Sequence, residues 1–297
     1  ANNAKTTFLT TMSHEIRTPM NAILGYTQLL GLEKNFPKEH IETIQAIDIS
    51  GRHLLELLND VLDISKIESG SMQLFCENIF IFDLIDTINQ TFKIRCKQMN
   101  LEWHCNVNIP TNYSAYTDKS KISQILINLL GNSIKFTQSG KITLECSTID
   151  SCLHVAITDT GTGITQEQQE NLFTPFFQGH AGQQYGGTGL GLTIVQKLVN
   201  LFNGTITFSS EVNKGTRFEI VLPLTAAKLE LPPAKHNTSI ELQDFSSSNL
   251  TALIVDDVRI NCDILAKVLS KLGIKSLKAA NGVEALDIIK SHQLNAL

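Results

Sequence analysis

The chain of 297 residues is 42% hydrophobic and 18% charged, and its formal net charge at pH 7 is -5. This length favours two or three globular domains, and the charge excludes an extended basic surface for nucleic acid. The six cysteines form neither a Cys-x-x-Cys pair nor a zinc-ligand spacing, so we expect reduced thiols in a cytoplasmic protein. No apolar run is long enough to cross a membrane, and we expect no membrane contact within this part of the chain.

Two long amphipathic helices are predicted first, joined by a polar turn around residues 35–37. A helical hairpin alone has too small a core to be stable, so we expect it to dimerise into a four-helix bundle. Packing of its apolar stripe on the next domain is the alternative. The stripe comprises Phe8, Met12, Ile16, Met20, Ile23, Thr27 and Leu30 in the first helix and Ile44, Ile47, Gly51, Leu54, Leu58, Val61 and Ser65 in the second.

The first helix carries a histidine beside a carboxylate, His14 and Glu15, with Thr18 one helical turn later. An imidazole with a pKa near neutrality can act as a nucleophile, and an adjacent carboxylate can hold its other ring proton. Pro19 follows and cannot donate a hydrogen bond to the carbonyl of Glu15, so a bend is expected after His14. An ordinary solvated helix face can carry the same pair of residues.

Strands and helices alternate between residues 74 and 224, which predicts an α/β sandwich with helices on one face of a sheet. The following residues, 225–249, contain Pro-Pro and a serine run, which indicates a linker. The predicted strands are Lys141–Ser147, Leu153–Asp159, Thr205–Ser210 and Arg217–Leu222, and the predicted helices are Phe82–Gln98, Lys119–Phe136, Gln166–Leu172 and Gly189–Leu201.

After the linker, a β-α-β-α pattern predicts the start of a doubly wound parallel sheet. Its elements are Ala252–Asp257, Ile260–Leu272, Lys275–Ala279 and Gly282–Ser291. The chain begins within a predicted helix and ends within this predicted domain. We therefore expect the cytosolic part of a longer protein, and a membrane anchor elsewhere in that protein is an open alternative.

Polar side chains share one face of the predicted helix 119–136. Asn128 and Asn132 are four residues apart, and Lys135 follows three residues later. An amide oxygen can bind Mg²⁺ and an ammonium group can bind phosphate. A solvated helix face is again the alternative.

Two glycine-rich segments follow. Asp159-Thr-Gly-Thr-Gly163 ends a strand, where a carboxylate can accept a hydrogen bond from a purine amine and glycines allow close approach; a simple turn is the alternative. Gly186–Leu192 opens a helix whose N–H groups can bind phosphate, but its context fits neither a P-loop nor a dinucleotide fingerprint. Between them, Phe173–Phe177 indicates an aromatic anchor or plain core packing, and Gln178–Tyr185 indicates a lid.

In this order, the motifs resemble those of the sensor histidine kinases of two-component signalling. The resemblance covers roughly residues 1–224 and implies a dimeric helical hairpin followed by an ATP-binding α/β sandwich of the gyrase and histidine-kinase type. The similar segments are Ser13–Pro19 for the phospho-acceptor box, Asn128–Thr137 for the N box, Asp159–Gly163 for the first glycine box, Phe173–Phe177 for the F box and Gly187–Gly191 for the second glycine box.

The resemblance implies an ATP-dependent protein kinase that autophosphorylates His14, with Glu15 as general base, and relays the phosphoryl group to an aspartate of a receiver domain. The spacing of Glu15 and Thr18 also resembles the family's phosphatase motif, in which the threonine orients a water. ATP and Mg²⁺ are the implied cofactors, and Asn132 is implied both in catalysis and as a Mg²⁺ ligand. The implied nucleotide-binding residues are Asn128, Asn132, Lys135, Asp159, Gly161, Gly163, Ile164, Phe173, Thr188, Gly189, Leu190, Gly191 and Thr216.

The segment Leu253–Asp257 resembles the first strand of a receiver domain, in which Asp256 and Asp257 are expected to bind Mg²⁺. A plain acidic strand end is the alternative. The chain ends before the third strand of such a domain, so we expect an incomplete receiver that neither accepts phosphate nor folds well alone. The expected partners are therefore a second copy of this chain and a receiver, either in the full-length protein or in a separate response regulator.

These patterns predict a hairpin for dimerisation and histidine phosphotransfer in residues 1–70 and a catalytic ATP-binding domain in 71–224. The linker spans 225–249 and the incomplete receiver spans 250–297. Two departures from the family pattern are Ser133, where alanine is usual, and a lid without arginine or lysine. A gyrase- or chaperone-like ATPase and a degenerate kinase that serves as a dimeric scaffold are the alternatives.

Overall fold

The structure, a computed structural model, describes residues 2–31, 37–178, 188–227 and 251–292. Most of the predicted turn between the first two helices, most of the lid and most of the linker therefore lie outside the described residues. The chain forms two compact units, one comprising Ala1–Leu62 and Lys235–Leu297 and the other Asp63–Ala234. The domain boundaries expected from the sequence stay predictions.

Eight helices and ten strands lie in the described part of the chain. The helices are α1 (Asn2–Gly31), α2 (Lys38–Glu68), α3 (Ile81–Gln98), α4 (Lys119–Phe136), α5 (Gln166–Glu170), α6 (Gly191–Leu201), α7 (Arg259–Lys271) and α8 (Gly282–His292). The strands are β1 (Glu77–Phe80), β2 (Glu102–Asn108), β3 (Ser114–Thr117), β4 (Lys141–Ile149), β5 (Cys152–Asp159), β6 (Thr205–Glu211), β7 (Gly215–Pro223), β8 (Thr225–Ala226), β9 (Thr251–Val255) and β10 (Lys275–Ala279).

The first two helices pack together around a glycine. A side chain at Gly51 of α2 would come within 2.8 Å of Leu24 and 3.1 Å of Met20 on α1, so this glycine permits close helix packing. The helix α1 is continuous through Pro19. Several members of the predicted apolar stripe stay 37–45% exposed, namely Met12, Ile16, Ile23, Leu30, Ile47 and Leu54.

In the same unit, β9 and β10 pair in parallel, as the predicted β-α-β-α pattern requires. The register aligns Thr251 with Lys275 and Val255 with Ala279. Parallel strands need a crossover connection, which α7 provides. The strand β9 ends at Val255, so Asp256 and Asp257 lie just beyond its carboxyl end.

The second unit is an α/β sandwich, as predicted. Its five-stranded sheet has the order β2-β4-β5-β7-β6, in which β2 pairs with β4 in parallel and the other neighbours are antiparallel. Alternate residues of β4 and β5 are buried, because one face of the sheet is covered by α3, α4 and α6. The largest fully buried side chains of this core are Phe92, Ile81, Ile85, Ile122, Ile125, Leu126, Leu129, Leu130, Ile142, Leu144, Leu153 and Ile157.

Four strands were missed by the sequence patterns. The strands β1, β3 and β8 form a separate antiparallel sheet, and β2 is an edge of the main sheet. The strand β8 lies at the start of the predicted linker, where Thr225–Ala226 pairs with β3 and Ala227 N–H donates to the carbonyl of Ser114 over 3.1 Å. The strands β1, β3 and β8 have two to four residues, too few to show alternation, and cross-strand hydrogen bonds decide their conformation.

Two helix bounds also differ from prediction for a physical reason. The helix α6 begins at Gly191 rather than Gly189, because Gly189 has a left-handed backbone with φ of +69°. The helix α5 ends at Glu170 rather than Leu172, and Asn171 caps it with N–H bonds back to the carbonyls of Gln168 and Gln169.

Candidate functional site

The centre of the candidate site is Asp159, at the carboxyl end of β5. Its side chain is buried, and Oδ1 accepts hydrogen bonds from the backbone N–H of Gly161 at 3.0 Å and of Thr216 at 3.3 Å. Oδ2 accepts a hydrogen bond from Ser133 Oγ at 3.2 Å. Burial raises the pKa of Asp159, and these three donors oppose that rise by stabilising the charged form. The result is a buried, oriented hydrogen-bond acceptor.

The first glycine-rich segment packs tightly against its neighbours. A methyl group on Gly161 would lie 2.4 Å from the carbonyl oxygen of Phe136, at the end of α4. Gly163 has φ of +66° and lies against the backbone of Glu211. Both positions therefore require glycine, and they hold the loop after Asp159 between α4 and the turn that joins β6 to β7.

Ser210, which the sequence patterns did not single out, organises the other side of this loop. Its Oγ accepts a hydrogen bond from Ile164 N–H at 2.9 Å and lies 2.9 Å from Thr216 Oγ1. Gln169 also donates from its side chain to the carbonyls of Ile164 and Ser210. Two predicted site residues, Ile164 and Thr216, are thus brought together through a serine that no motif marked.

The predicted polar face of α4 lies beside the start of α6. The amide carbon of Asn128 is 3.9 Å from the position that a side chain on Gly191 would occupy. Asn128, Asn132 and Lys135 are all partly buried, and burial lowers the pKa of Lys135. The Lys135 ammonium also lies 4.9 Å from the ring centre of Phe136. Because burial removes the Lys135 ammonium from part of its surrounding water, an anionic partner would stabilise its charge.

The second glycine-rich segment joins the aromatic segment through the backbone. Phe176 N–H donates to the carbonyl of Gly189 at 3.0 Å, and a side chain on Gly189 would lie 2.7 Å from the Phe176 carbonyl carbon. Thr188 Oγ1 accepts from Leu190 N–H, and within the described residues no side chain caps α6. The N–H groups that open α6 at Gly191 are therefore oriented as in anion sites at helix N-termini.

The phenylalanines of the aromatic segment differ in environment. Phe173 is partly buried and packs edge-on against Phe208 with ring centres 5.9 Å apart, while its carbonyl accepts a hydrogen bond from Thr193. Phe176 is 66% exposed and has φ of +62°, a strained conformation for a bulky residue. Phe173 therefore serves packing, and its predicted nucleotide contact stays a prediction.

The phospho-acceptor segment is described only in part. Residue 14 lies in α1, but the side chain of His14 falls outside the described residues. Glu15 and Thr18 are exposed on the same helix, and Ser13 is buried. Their proposed roles in phosphoryl transfer stay predictions, as do the lid residues between 179 and 187.

The two aspartates after β9 differ in their surroundings. Asp256 accepts hydrogen bonds from Val258 N–H at 2.7 Å and from the Asn261 amide at 3.1 Å, which ties it to the start of α7. Asp257 is exposed. Within the described residues, no group of three or more His, Cys, Asp or Glu side chains could hold a metal ion. The predicted receiver Mg²⁺ site stays a prediction.

Two family descriptions match this chain. Residues 4–70 match the His Kinase A (phospho-acceptor) domain, and residues 117–226 match the family described as histidine kinase-, DNA gyrase B- and HSP90-like ATPase. The second match contains Asp159 and both glycine-rich segments, and the first contains His14. Across 2–31, 37–178, 188–227 and 251–292, no helix is long and apolar enough to span a membrane.

Relatives match nearly the whole chain but are much longer. The Autoinducer 2 sensor kinase/phosphatase LuxQ of Vibrio cholerae is 36% identical over 293 residues, which cover 96% of this chain and 34% of LuxQ. The sensor protein EvgS of Escherichia coli is 34% identical over 300 residues, which cover 99% of this chain and 25% of EvgS. The chain thus spans a quarter to a third of the length of these relatives.

Among solved structures, the chain resembles that of full-length ShkA in complex with AMPPNP. The TM-score is 0.64 at 28% sequence identity, and the match covers 95% of this chain and 57% of ShkA. A phospho-acceptor domain followed by an ATPase domain is the arrangement found here, and the chain belongs to the sensor histidine kinases.

Proposed function

We propose that this chain is the core of an ATP-dependent protein-histidine kinase, in which the second unit binds ATP and His14 receives its γ-phosphoryl group. The observation that carries this proposal is the buried Asp159 carboxylate, held by three donors, one of which is Gly161 of the first glycine-rich segment. A carboxylate in this setting accepts a hydrogen bond from the 6-amino group of adenine. The histidine motif occurs in the same chain, in the matched phospho-acceptor domain.

The polar residues around Asp159 define where the triphosphate would bind. Lys135 and the N–H groups that open α6 supply positive charge to its phosphates. The amide oxygens of Asn128 and Asn132 are hard donors of the kind that bind Mg²⁺ together with phosphate oxygens, and the ion would neutralise charge on those oxygens.

The transfer step uses the imidazole of His14 as the nucleophile. One ring nitrogen attacks the γ-phosphorus in line, an N–P bond forms, and the bond from that phosphorus to the β-phosphate oxygen breaks with ADP as the leaving group. Glu15 accepts a hydrogen bond from the other ring nitrogen, which raises the nucleophilicity of the attacking one. Because such transfer depends mainly on positioning and charge stabilisation, the placement of His14 at the phosphate should set the rate.

Labelling with γ-³²P ATP tests this function. The wild-type chain should acquire acid-labile, base-stable label, and His14→Ala and Asn132→Ala should not. His53→Ala, which changes an exposed histidine of α2, is the matched control and should retain the label. Label that persists in His14→Ala would contradict the assignment. Phosphate release without labelled protein would indicate an ATPase, and ATP binding with neither product would indicate a scaffold.

The phosphoryl group is then passed to an aspartate of a receiver domain, in the full-length protein or in a separate response regulator. The segment from β9 to α8 has the β-α-β-α order of the start of such a domain. We place the chain in the cytoplasm, since ATP is its proposed substrate.

The reverse reaction is a second candidate function. Glu15 and Thr18 lie one turn apart and are exposed, as a residue that orients a water for attack on phospho-aspartate must be. The similar protein from Vibrio cholerae is named a sensor kinase/phosphatase. Thr18→Ala should retain autophosphorylation and lose dephosphorylation of a phospho-receiver, and equal loss of both activities would count against this role.

The exposed apolar stripe supports a homodimer. The six exposed stripe residues lie at the positions that periodicity assigns to a helix interface, on both α1 and α2. Burying such a stripe against a second copy stabilises a four-helix bundle, whereas leaving it in water costs about 25 cal/mol per Å² of apolar surface.

A further inference from the structure

The hydrogen bonds of Asp159 leave one direction open for a ligand. A carboxylate offers about four lone-pair sites. Gly161 and Thr216 N–H groups occupy both sites of Oδ1, and Ser133 occupies one site of Oδ2. Among the residues that the structure describes, the remaining acceptor site therefore lies on Oδ2, the oxygen that Ser133 holds.

Ser133 is well placed to fix that oxygen. It lies on α4 among the buried positions of the helix, with 3% of its surface exposed, and its hydroxyl reaches across to the end of β5. The two backbone donors fix Oδ1, but they leave the carboxylate free to rock about the axis through that oxygen. The serine hydroxyl removes this freedom, because it adds a donor on the second oxygen.

We propose that Ser133 is a positioning residue for base recognition, whose hydroxyl directs the remaining lone pair of Asp159 Oδ2 toward the 6-amino group of adenine. This inference rests on the proposed ATP site and assigns its base selectivity to a named pair of side chains. A 6-oxo purine presents an acceptor at the same position, so it would face the free lone pair of Asp159 Oδ2 without a hydrogen bond.

A second buried hydroxyl, on the residue that follows α4, provides the matched control. Thr137 lies four residues after Ser133, its hydroxyl is also buried, and a methyl group on Gly161 would lie 2.9 Å from it. In the described part of the chain, Thr137 Oγ1 has no hydrogen-bonding partner, and it does not bond to Asp159. Thr137→Val therefore removes a buried hydroxyl near the site without touching the Ser133–Asp159 hydrogen bond.

The test compares two diphosphates in the complete chain by isothermal titration calorimetry, which avoids turnover. ADP carries the 6-amino group, and purine riboside 5′-diphosphate lacks it. Ser133→Ala should weaken ADP binding by about threefold to tenfold, the range of one net hydrogen bond, and should change binding of the analogue by less than about twofold. Ser133→Cys, with a weak S–H donor, should give an intermediate loss for ADP. Thr137→Val should leave the ratio of the two affinities unchanged.

Two results would overturn the inference. Equal losses for ADP and the analogue in Ser133→Ala would show a purely structural role, and an unchanged ADP affinity would show no role. A wild-type chain that binds ADP no better than the analogue would instead remove Asp159 as the adenine-binding residue, which is a failure of the proposed site. The two kinds of failure are thus distinguishable.

Discussion

At the scale of single residues, the candidate site depends on a carboxyl group that is buried and held by three hydrogen-bond donors. Burial raises the pKa of Asp159, while the hydrogen bonds from Gly161, Thr216 and Ser133 act in the opposite direction by favouring the ionised form. Without these donors the carboxyl group would bind a proton more readily, and one of its oxygens would become a donor. Burial of this carboxyl group therefore lowers the stability of the fold, but it gives the site a hydrogen-bond acceptor with a defined orientation.

The substitution Asp159→Asn tests nucleotide recognition in a variant that should keep the fold. The amide Oδ1 can still accept from Gly161 and Thr216, and its Nδ2 can donate to the Ser133 hydroxyl, so the fold should persist. The remaining amide hydrogen then faces the adenine amino group, so two donors meet and no hydrogen bond forms. We therefore expect ATP affinity to fall by at least about tenfold. Inosine triphosphate carries an acceptor at that position, so its affinity for this variant should rise relative to that of ATP. Asp83→Asn, at an exposed carboxylate of α3, is the control for both nucleotides in equilibrium binding.

The raised pKa of Asp159 gives a second expectation, in thermal stability. Because the pKa is higher in the folded chain than in the unfolded chain, this group favours folding at low pH, and that contribution is lost as pH rises through the folded pKa. At neutral pH Asp159→Asn should therefore melt at the same temperature as the wild type or higher, and the difference should shrink as the pH falls. A variant that melts lower at neutral pH and recovers no stability on acidification would contradict this.

At the scale of elements, two unequal contacts within the second unit link the last residues of α2 to α4 and α6. Gln124 Nε2 of α4 donates to Asp63 Oδ2 at 2.7 Å, in a partly buried setting. Lys197 of α6 lies 3.4 Å from Glu68 in a more exposed ion pair. Hydrogen bonds to a charged group contribute about 1.5–3 kcal/mol, whereas exposed ion pairs contribute about 1 kcal/mol or less. The Gln124 contact should therefore dominate.

Gln124→Leu should loosen the last turn of α2. We expect faster hydrogen–deuterium exchange in residues 63–68, because the Asp63 carboxylate loses its partner while the helix keeps its own backbone bonds. Lys197→Met is the comparison and should change exchange there less, since its ion pair is exposed. If Lys197→Met has the larger effect, the ranking of these two contacts is wrong.

At the scale of the whole molecule, the described chain contains two kinds of core. The ATP-binding unit has a fully buried core of its own, which includes Phe92 and Leu144. The α1–α2 hairpin leaves Ile23 and Leu54 of its apolar stripe 45% exposed. An exposed apolar stripe at helical spacing predicts that association occurs through the hairpin.

Leu54→Glu should weaken association of this chain. A carboxylate in a helix interface must be dehydrated, so the dimer should dissociate at higher protein concentration than the wild type does. Ile94→Glu, at an exposed apolar residue of α3, is the matched control and should leave the mass unchanged. Light scattering after size exclusion gives the mass, and a wild-type chain that is monomeric throughout would contradict the proposed dimer.

Some helices and strands of this protein could be predicted from the sequence, and others could not. The helix Lys119–Phe136 and the strand Lys275–Ala279 agree residue for residue with prediction, because long apolar periodicities are local properties of the chain. The strands β1, β3 and β8 were not predicted, since two to four residues carry no periodicity and depend on partners distant in the sequence. The start of α6 shifted by two residues because Gly189 adopts a left-handed conformation.

By itself, the sequence determined the order of the motifs, the α/β class of the ATP-binding unit and the family of kinases to which the chain belongs. Only the tertiary structure decided that Ser133 and Thr216 meet the carboxylate of Asp159, and that Ser210 links Ile164 to Thr216. The physical reason is distance along the chain. Periodicity records which face of an element is buried, whereas a hydrogen bond between α4, β5 and β7 depends on how separate elements pack.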